Sequence, residues 1–311
     1  MNLVKAVLLK SLSALLFALL SACVRYVGEQ GVPLGQVVFF RAAFAILPVA
    51  LIYAWRDELV DAVRTGRPLG HLGRGLISVA SMFLNFAALA RLPLVDATAI
   101  SFAAPLITVA FAAIFLGERV PAYRWSAVAV GFVGIIVMLW PYLNLAQYAA
   151  GGSATVAATI GVACALLAAL TNAGSVIQTR RLTDTETTSS IVFYFSLYCA
   201  VAGLATLPFG WIWPGVMQLA VLVASGVVGG LAHIVLTTSY RYAPASLVAP
   251  LDYTMMIWAF VLGYFLFGEL PTIYVFVGGA IVAASGIFVI WRERQLGLRR
   301  IREAEGPPNV S

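Results

Sequence analysis

FLGERVP, at residues 115–121, and FGELP, at residues 267–271, close two long apolar runs in the same way. The likeness extends to both sides of them. Upstream, RLPLVDATAI (residues 91–100) resembles RYAPASLVAP (241–250). Downstream, GFVGIIVMLW (131–140) resembles GGAIVAASGIFVIW (278–291). The offset stays near about 150 residues, so the chain reads as one unit written twice.

The rest of the sequence fits that unit to a membrane. Hydrophobic residues make up 62% of the 311, and charged residues only 10%. Soluble domains carry about 45–50% apolar and about 25% charged residues. So few charges cannot cover a soluble surface, and so apolar a chain is not disordered. Cys23, Cys164 and Cys199 are odd in number and lie in apolar runs, which excludes a disulfide scaffold. A helix needs about 20 apolar residues to cross the bilayer. Ten spans are expected, at Lys5–Val27, Leu34–Trp55, His71–Arg91, Asp96–Leu116, Ala122–Tyr142, Thr155–Gln178, Ser189–Phe209, Val216–Tyr240, Ala245–Phe267 and Thr272–Trp291. The runs are too long and continuous for a transmembrane β-barrel. The fold class is therefore an all-α membrane protein of ten transmembrane helices. The domains are a first repeat over 1–145, a second over 146–291 and a basic tail over 292–311. Leu20-Ser21-Ala22-Cys23 resembles the end of a lipoprotein signal. Cleavage there would remove the first span and break the repeat, so the segment is expected to stay.

Five spans per repeat is an odd number, so the two halves sit upside down relative to each other. Inverted repeats around a central site mark secondary transporters. Lysine and arginine fix the orientation. Lys5, Lys10, Arg56, Arg64, Arg67, Arg74, Arg119, Arg124, Arg180, Arg181, Arg241 and the tail fall on one side, and only Arg25 and Arg91 on the other. Both termini are expected in the cytoplasm. The net charge of +6 is then a topology signal and not a nucleic-acid footprint. Six of the seven tryptophans lie near span ends, as an interfacial belt requires; Trp258 lies inside the ninth span.

Arg41 in the second span, PLVDATAI at 93–100, Ala104-Pro105 and the paired Gly117-Glu118 and Gly268-Glu269 together resemble the drug/metabolite transporter superfamily. The form they resemble is the ten-span one, with two EamA-type repeats. RRLTDTE (180–186) with IVFYF (191–195) is similar to a bacterial branch that includes riboflavin- and S-adenosylmethionine-type carriers. The resemblance covers about residues 5–291. It implies a cavity ringed by spans one to four and six to nine, with spans five and ten outside.

Ionisable groups at membrane depth are functional candidates by default. Counted along the spans, Arg41, Asn85 and Ser101 fall in the outer half, and Asn172, Ser196, His233 and Asp252 in the inner half. Arg41 reads as an anchor for an oxyanion, or as a structural arginine that bonds carbonyls or snorkels. Asp252 reads as a partner for a cationic group, as the protonation site of a proton-coupled cycle, or as a packing hydrogen bond. His233 reads as its partner or as a packing residue. Asn85 and Asn172 can bond substrate or bridge helices. Tyr194, Tyr198, Tyr253 and Trp258 can stack on a ligand. Glu118 and Glu269, at span ends, are expected to be solvated.

No phosphate-cradling glycine loop, zinc-ligand spacing or nucleophile–histidine–acid set is present, so no cofactor and no metal are expected. The expected function is a secondary carrier of a small polar or amphipathic metabolite in the inner membrane, with protons as the candidate coupling ion. Its partners are the substrate and the lipid bilayer, as a monomer or homodimer. The alternatives are an uncoupled uniporter and a membrane-embedded enzyme that uses Asp252 and His233 as an acid–base pair.

Overall fold

Polar backbone groups in lipid must be hydrogen-bonded within the protein, and helices do this within one segment. A computed structural model describes residues 3–55, 65–117, 120–142, 153–183, 185–186, 188–239, 242 and 249–305. Glu118, Arg56, Arg64, Arg119, Arg241 and residues 243–248, on which expectations rest, lie outside the described residues. The described chain is all-helical, with no strand. Its helices are α1 (Leu3–Glu29), α2 (Leu34–Trp55), α3 (Pro68–Leu89), α4 (Leu94–Ser101), α5 (Ala103–Phe115), α6 (Ala122–Leu139), α7 (Ser153–Thr183), α8 (Thr188–Leu204), α9 (Val216–Ser239), α10 (Thr254–Phe267) and α11 (Ile273–Glu305). Among the described residues, seven segments are long and apolar enough to cross a membrane. Leu34–Pro48, Ser190–Leu204 and Leu251–Phe267 are shorter apolar helices, and they fall in the second, seventh and ninth expected spans.

Proline and glycine set the ends. Pro68 opens α3, where its missing N–H is not needed, and Pro121 precedes α6. Gly31, Gly117, Gly210 and Gly268 take positive φ in the turns that follow helices, a region that β-carbon-bearing residues avoid. Pro105 cannot donate to the carbonyl of Ser101 four residues back. The helix breaks there, and Phe102 N–H turns back to Ala99 instead. A second interruption is the 3₁₀ turn Ala249–Tyr253, which contains Pro250 and runs into α10. The two breaks touch: the rings of Phe102 and Tyr253 lie 5.0 Å apart.

The packing has a repeated pattern. α1 packs on α9 as α3 packs on α7, α2 meets α8, and α6 meets α11. α2 also packs on α9 and α8 on α3, while α4 and α5 lie on α7 and α10 on α1. Large apolar side chains such as Leu51, Ile114, Val216, Phe265 and Ile273 point outward, a surface suited to lipid.

Helices in lipid associate through close contact of small residues. At the α6–α11 crossing, a β-carbon on Gly134 would stand 2.7 Å from the carbonyl oxygen of Gly278. A β-carbon on Gly278 would strike the Gly134 carbonyl in turn. Backbone cannot swing away, so Gly134→Ala and Gly278→Ala are each expected to cost about 1–3 kcal/mol. Gly279→Ala meets only the flexible end of Met256 and is expected to be milder. Thermal unfolding of the three variants in detergent checks this order.

Candidate functional site

Side chains from α1, α2, α3, α4, α7, α8, α9 and α10 surround a polar cavity in two adjoining parts, each of about 320 Å³. Arg41, Asn172, Ser175, Phe195 and His233 line both parts. Ser21, Ser78, Ser81, Asn85, Thr98 and Ser101 add polar groups to the first; Arg74, Thr179 and Ser196 add them to the second. The helix break places Ser101 on the wall, where its hydroxyl donates to the carbonyl of Thr98 at 2.6 Å. Ser78 on α3 and Ser175 on α7 share a hydrogen bond of 2.6 Å across the two halves of the chain.

The site residues expected from sequence divide in two. Arg41, Asn85, Ser101, Asn172 and His233 line the cavity. The two polar layers expected from depth merge there, since Arg41 and His233 share one wall. Tyr194, Asp252, Tyr253 and Trp258 are not among the lining residues. Tyr194 packs on His71, ring centres 4.6 Å apart. Tyr253 lies between Phe102 and the bare backbone of Gly286, where a β-carbon would collide with its hydroxyl. The Asp252 carboxylate is 54% exposed and bonds Lys10 Nζ at 2.7 Å. Lys10, part of the charge bias that orients the chain, is 1% exposed on α1. Trp258 is half-buried on α10.

A charged cluster stands beyond each end of the cavity. At the Arg25 end, Arg25 bonds Glu269 at 2.5 Å and Glu29 at 3.0 Å, and donates to the carbonyl of Leu92. Glu269 also accepts from the backbone N–H of Leu94 at 2.7 Å, which caps α4. Tyr142 donates to Asp96 beside them. Glu269 was expected to be solvated at a span end. It is only 11% exposed, because the Gly268 turn folds it back onto the start of α4. A run of Gly-Glu-x-Pro carries no signal of that direction.

At the other end, Glu186 in the loop between α7 and α8 accepts from Gly66 N–H at 2.9 Å and meets His71 Nε2 at 3.3 Å. Burial there would raise the Glu186 carboxyl. Contacts from His71, Thr65 and the Gly66 N–H outweigh it and hold the carboxyl below its ordinary 4.5. A group with a depressed folded-state pKa adds stability above its unfolded pKa and loses it as pH falls through the folded value. Glu186→Gln is therefore expected to melt below the native protein at neutral pH. The gap is expected to close once pH drops under the usual carboxylate range. Melting curves of both proteins across pH test this. Nearby, Arg181 donates to the carbonyl of Phe115 at 2.9 Å.

Sequence reasoning missed Arg74, Ser78, Ser175 and Phe195. Arg74 donates from Nε to Thr179 Oγ1 at 2.6 Å and from Nη1 to the carbonyl of Ile191 at 2.9 Å, which turns it into the cavity. Among the described residues, no group of three His, Cys, Asp or Glu side chains could hold a metal ion.

The EamA-like transporter family matches this chain twice, over residues 4–140 and 159–292. The S-adenosylmethionine uptake transporter of Rickettsia prowazekii (strain Madrid E) is 28% identical over 263 residues, 84% of each chain. The pseudopaline exporter CntI of Pseudomonas aeruginosa (strain UCBPP-PA14) is 30% identical over 285 residues, 90% of this chain and 94% of its own. The riboflavin transporter of Rhizobium johnstonii (strain DSM 114642 / LMG 32736 / 3841) is 28% identical over 284 residues, 91% of this chain and 89% of its own. A solved crystal structure superposes with a TM-score of 0.62 over 94% of this chain and 99% of that one, at 20% identity, so the likeness is one of fold.

Proposed function

Because the chain belongs to the EamA-like transporter family, and is thus a multi-pass transporter and not an enzyme, we propose that it is a secondary carrier working by alternating access. Its cargo is a small polar or amphipathic organic metabolite, of the size of an amino acid, a vitamin or a nucleoside. The observation that carries this reading is the polar cavity between two separate charged clusters. One cluster can open while the other holds, which presents the cavity to one face at a time.

The matched packing pairs and the two touching helix breaks support two inverted five-helix repeats, divided near residue 145. The lysine and arginine bias supports cytoplasmic termini in the inner membrane. The Arg25–Glu269 cluster then closes the outer end and the His71–Glu186 cluster the cytoplasmic end. The carrier is read as a monomer or a homodimer. His233 on the wall and Asp252, held by Lys10, are the candidate proton sites.

Flux in proteoliposomes tests the proposal. Vesicles are loaded with a pooled metabolite extract, and efflux is followed by mass spectrometry with and without a pH gradient. Selective efflux of a few compounds is expected, with the gradient effect lost in His233→Gln or Asp252→Asn. Movement of no compound would overturn the carrier reading. A gradient effect unchanged in both variants would remove these two residues from coupling.

A further inference from the structure

The cavity wall carries charge of one sign. Arg41 and Arg74 both line it, and no Asp or Glu is among the lining residues. The two guanidinium carbons lie 5.7 and 5.5 Å from the centre of the Phe195 ring, so they are separated by no more than those two lengths combined. Arg74 is fixed by its bonds to Thr179 and Ile191. Arg41 differs. It is 6% exposed, and its Nε and Nη1 are buried with no hydrogen-bond partner.

A snorkelling arginine would reach the interface, and a structural one would spend its N–H groups on carbonyls. Arg41 does neither with those two nitrogens. Gly229 on α9 leaves room against the group: a β-carbon there would lie 3.7 Å from Nε. Keeping two unpaired donors at this depth is expensive unless something supplies the missing acceptors. Nε–H and Nη1–H leave the guanidinium on different edges, and an oxyanion oxygen can accept a charge-assisted N–H···O bond at either one.

We propose that Arg41 and Arg74 form an oxyanion site in the cavity. The solute carries a carboxylate or phosphate group that Arg41 grips through its unpartnered nitrogens. Arg74, already oriented, is the second cation, and both guanidinium groups lie against the Phe195 ring. The Ser78 and Ser175 hydroxyls, bonded to each other, are neutral donors beside them. The word solute rests on the carrier reading; the anion site does not.

The test is therefore a binding measurement. Purified protein is titrated with malonate or with inorganic phosphate at constant ionic strength, chloride making up the difference, and the melting temperature is followed. A saturable rise is expected with at least one of the two. A rise with malonate alone assigns the site to carboxylates, and with phosphate alone to phosphoryl groups. In Arg41→Gln, and in Arg41→Lys, which keeps charge but loses the planar donor set, the apparent dissociation constant should rise about tenfold or more. Arg74→Gln should weaken binding in the same direction. Since Arg41→Lys tests the planar donor set in a chain that retains the cation, a folding failure of Arg41→Gln leaves the test intact. No saturable rise with either anion, or equal rises in the native protein and the variants, would overturn the site. Anion binding without any metabolite flux would sink the carrier reading and leave the site standing. Flux without anion binding would do the reverse.

Discussion

Arg25→Ala is expected to cost the fold about 3–5 kcal/mol, the range for removing one partner of a buried ion pair. Arg25 is tied to Glu29, Glu269 and the Leu92 carbonyl, and its guanidinium lies 5.2 Å from the Phe267 ring. Without it, Glu269 and the neighbouring Asp96 remain as two buried acids with no arginine between them. Glu269→Gln should cost much less. Its amide oxygen can still accept from Leu94 N–H, and Arg25 keeps Glu29 at the half-exposed rim. The double variant Arg25→Met/Glu269→Leu should recover most of the loss, since a packed apolar pair carries no desolvation cost. Melting temperatures of the four proteins, read as a double-mutant cycle, check this. A loss in Arg25→Ala no larger than in Glu269→Gln would mean that the cluster does not hold the bundle closed.

The second large effect concerns transport. Arg41→Gln is expected to lower the initial flux of the cargo found in the proteoliposome assay by about tenfold or more, with little change in melting temperature. The two readouts separate because Arg41 Nε and Nη1 bond nothing in the protein, so their loss removes no intramolecular hydrogen bond. Removal of a buried, unpaired charge relieves the fold. A structural arginine would give the opposite pattern, with stability lost first and flux falling only as far as folded protein is lost.

Much of this was legible in the residues. The repeated Gly-Glu span ends, each followed closely by proline, and the length of the apolar runs carried the helical membrane architecture. Depth counting reached Arg41, Asn85, Ser101, Asn172 and His233, which line the cavity. It failed for residues whose role depends on rotation about the helix axis. Asp252 and Tyr253 share a turn, but one bonds Lys10 and the other packs on Gly286. Arg74 and Lys10 count toward the charge bias near span ends, where such charge is usually solvated. Both are instead drawn inward, Arg74 by Thr179 and the Ile191 carbonyl, and Lys10 by Asp252. Those partners lie about 100 residues or more away in the chain, beyond the reach of any local pattern. The fold-back of Glu269 likewise depends on where α4 begins in space.

Access to the cavity from each face tests the central claim most directly. Ser175→Cys would be placed in a chain whose Cys23, Cys164 and Cys199 are changed to alanine. A membrane-impermeant maleimide would then be applied to right-side-out and to inverted vesicles. The account predicts labelling from both faces, with Glu186→Gln raising it at the cytoplasmic face and Glu269→Gln at the outer face. Labelling from one face alone, unmoved by either cluster variant, would contradict alternating access.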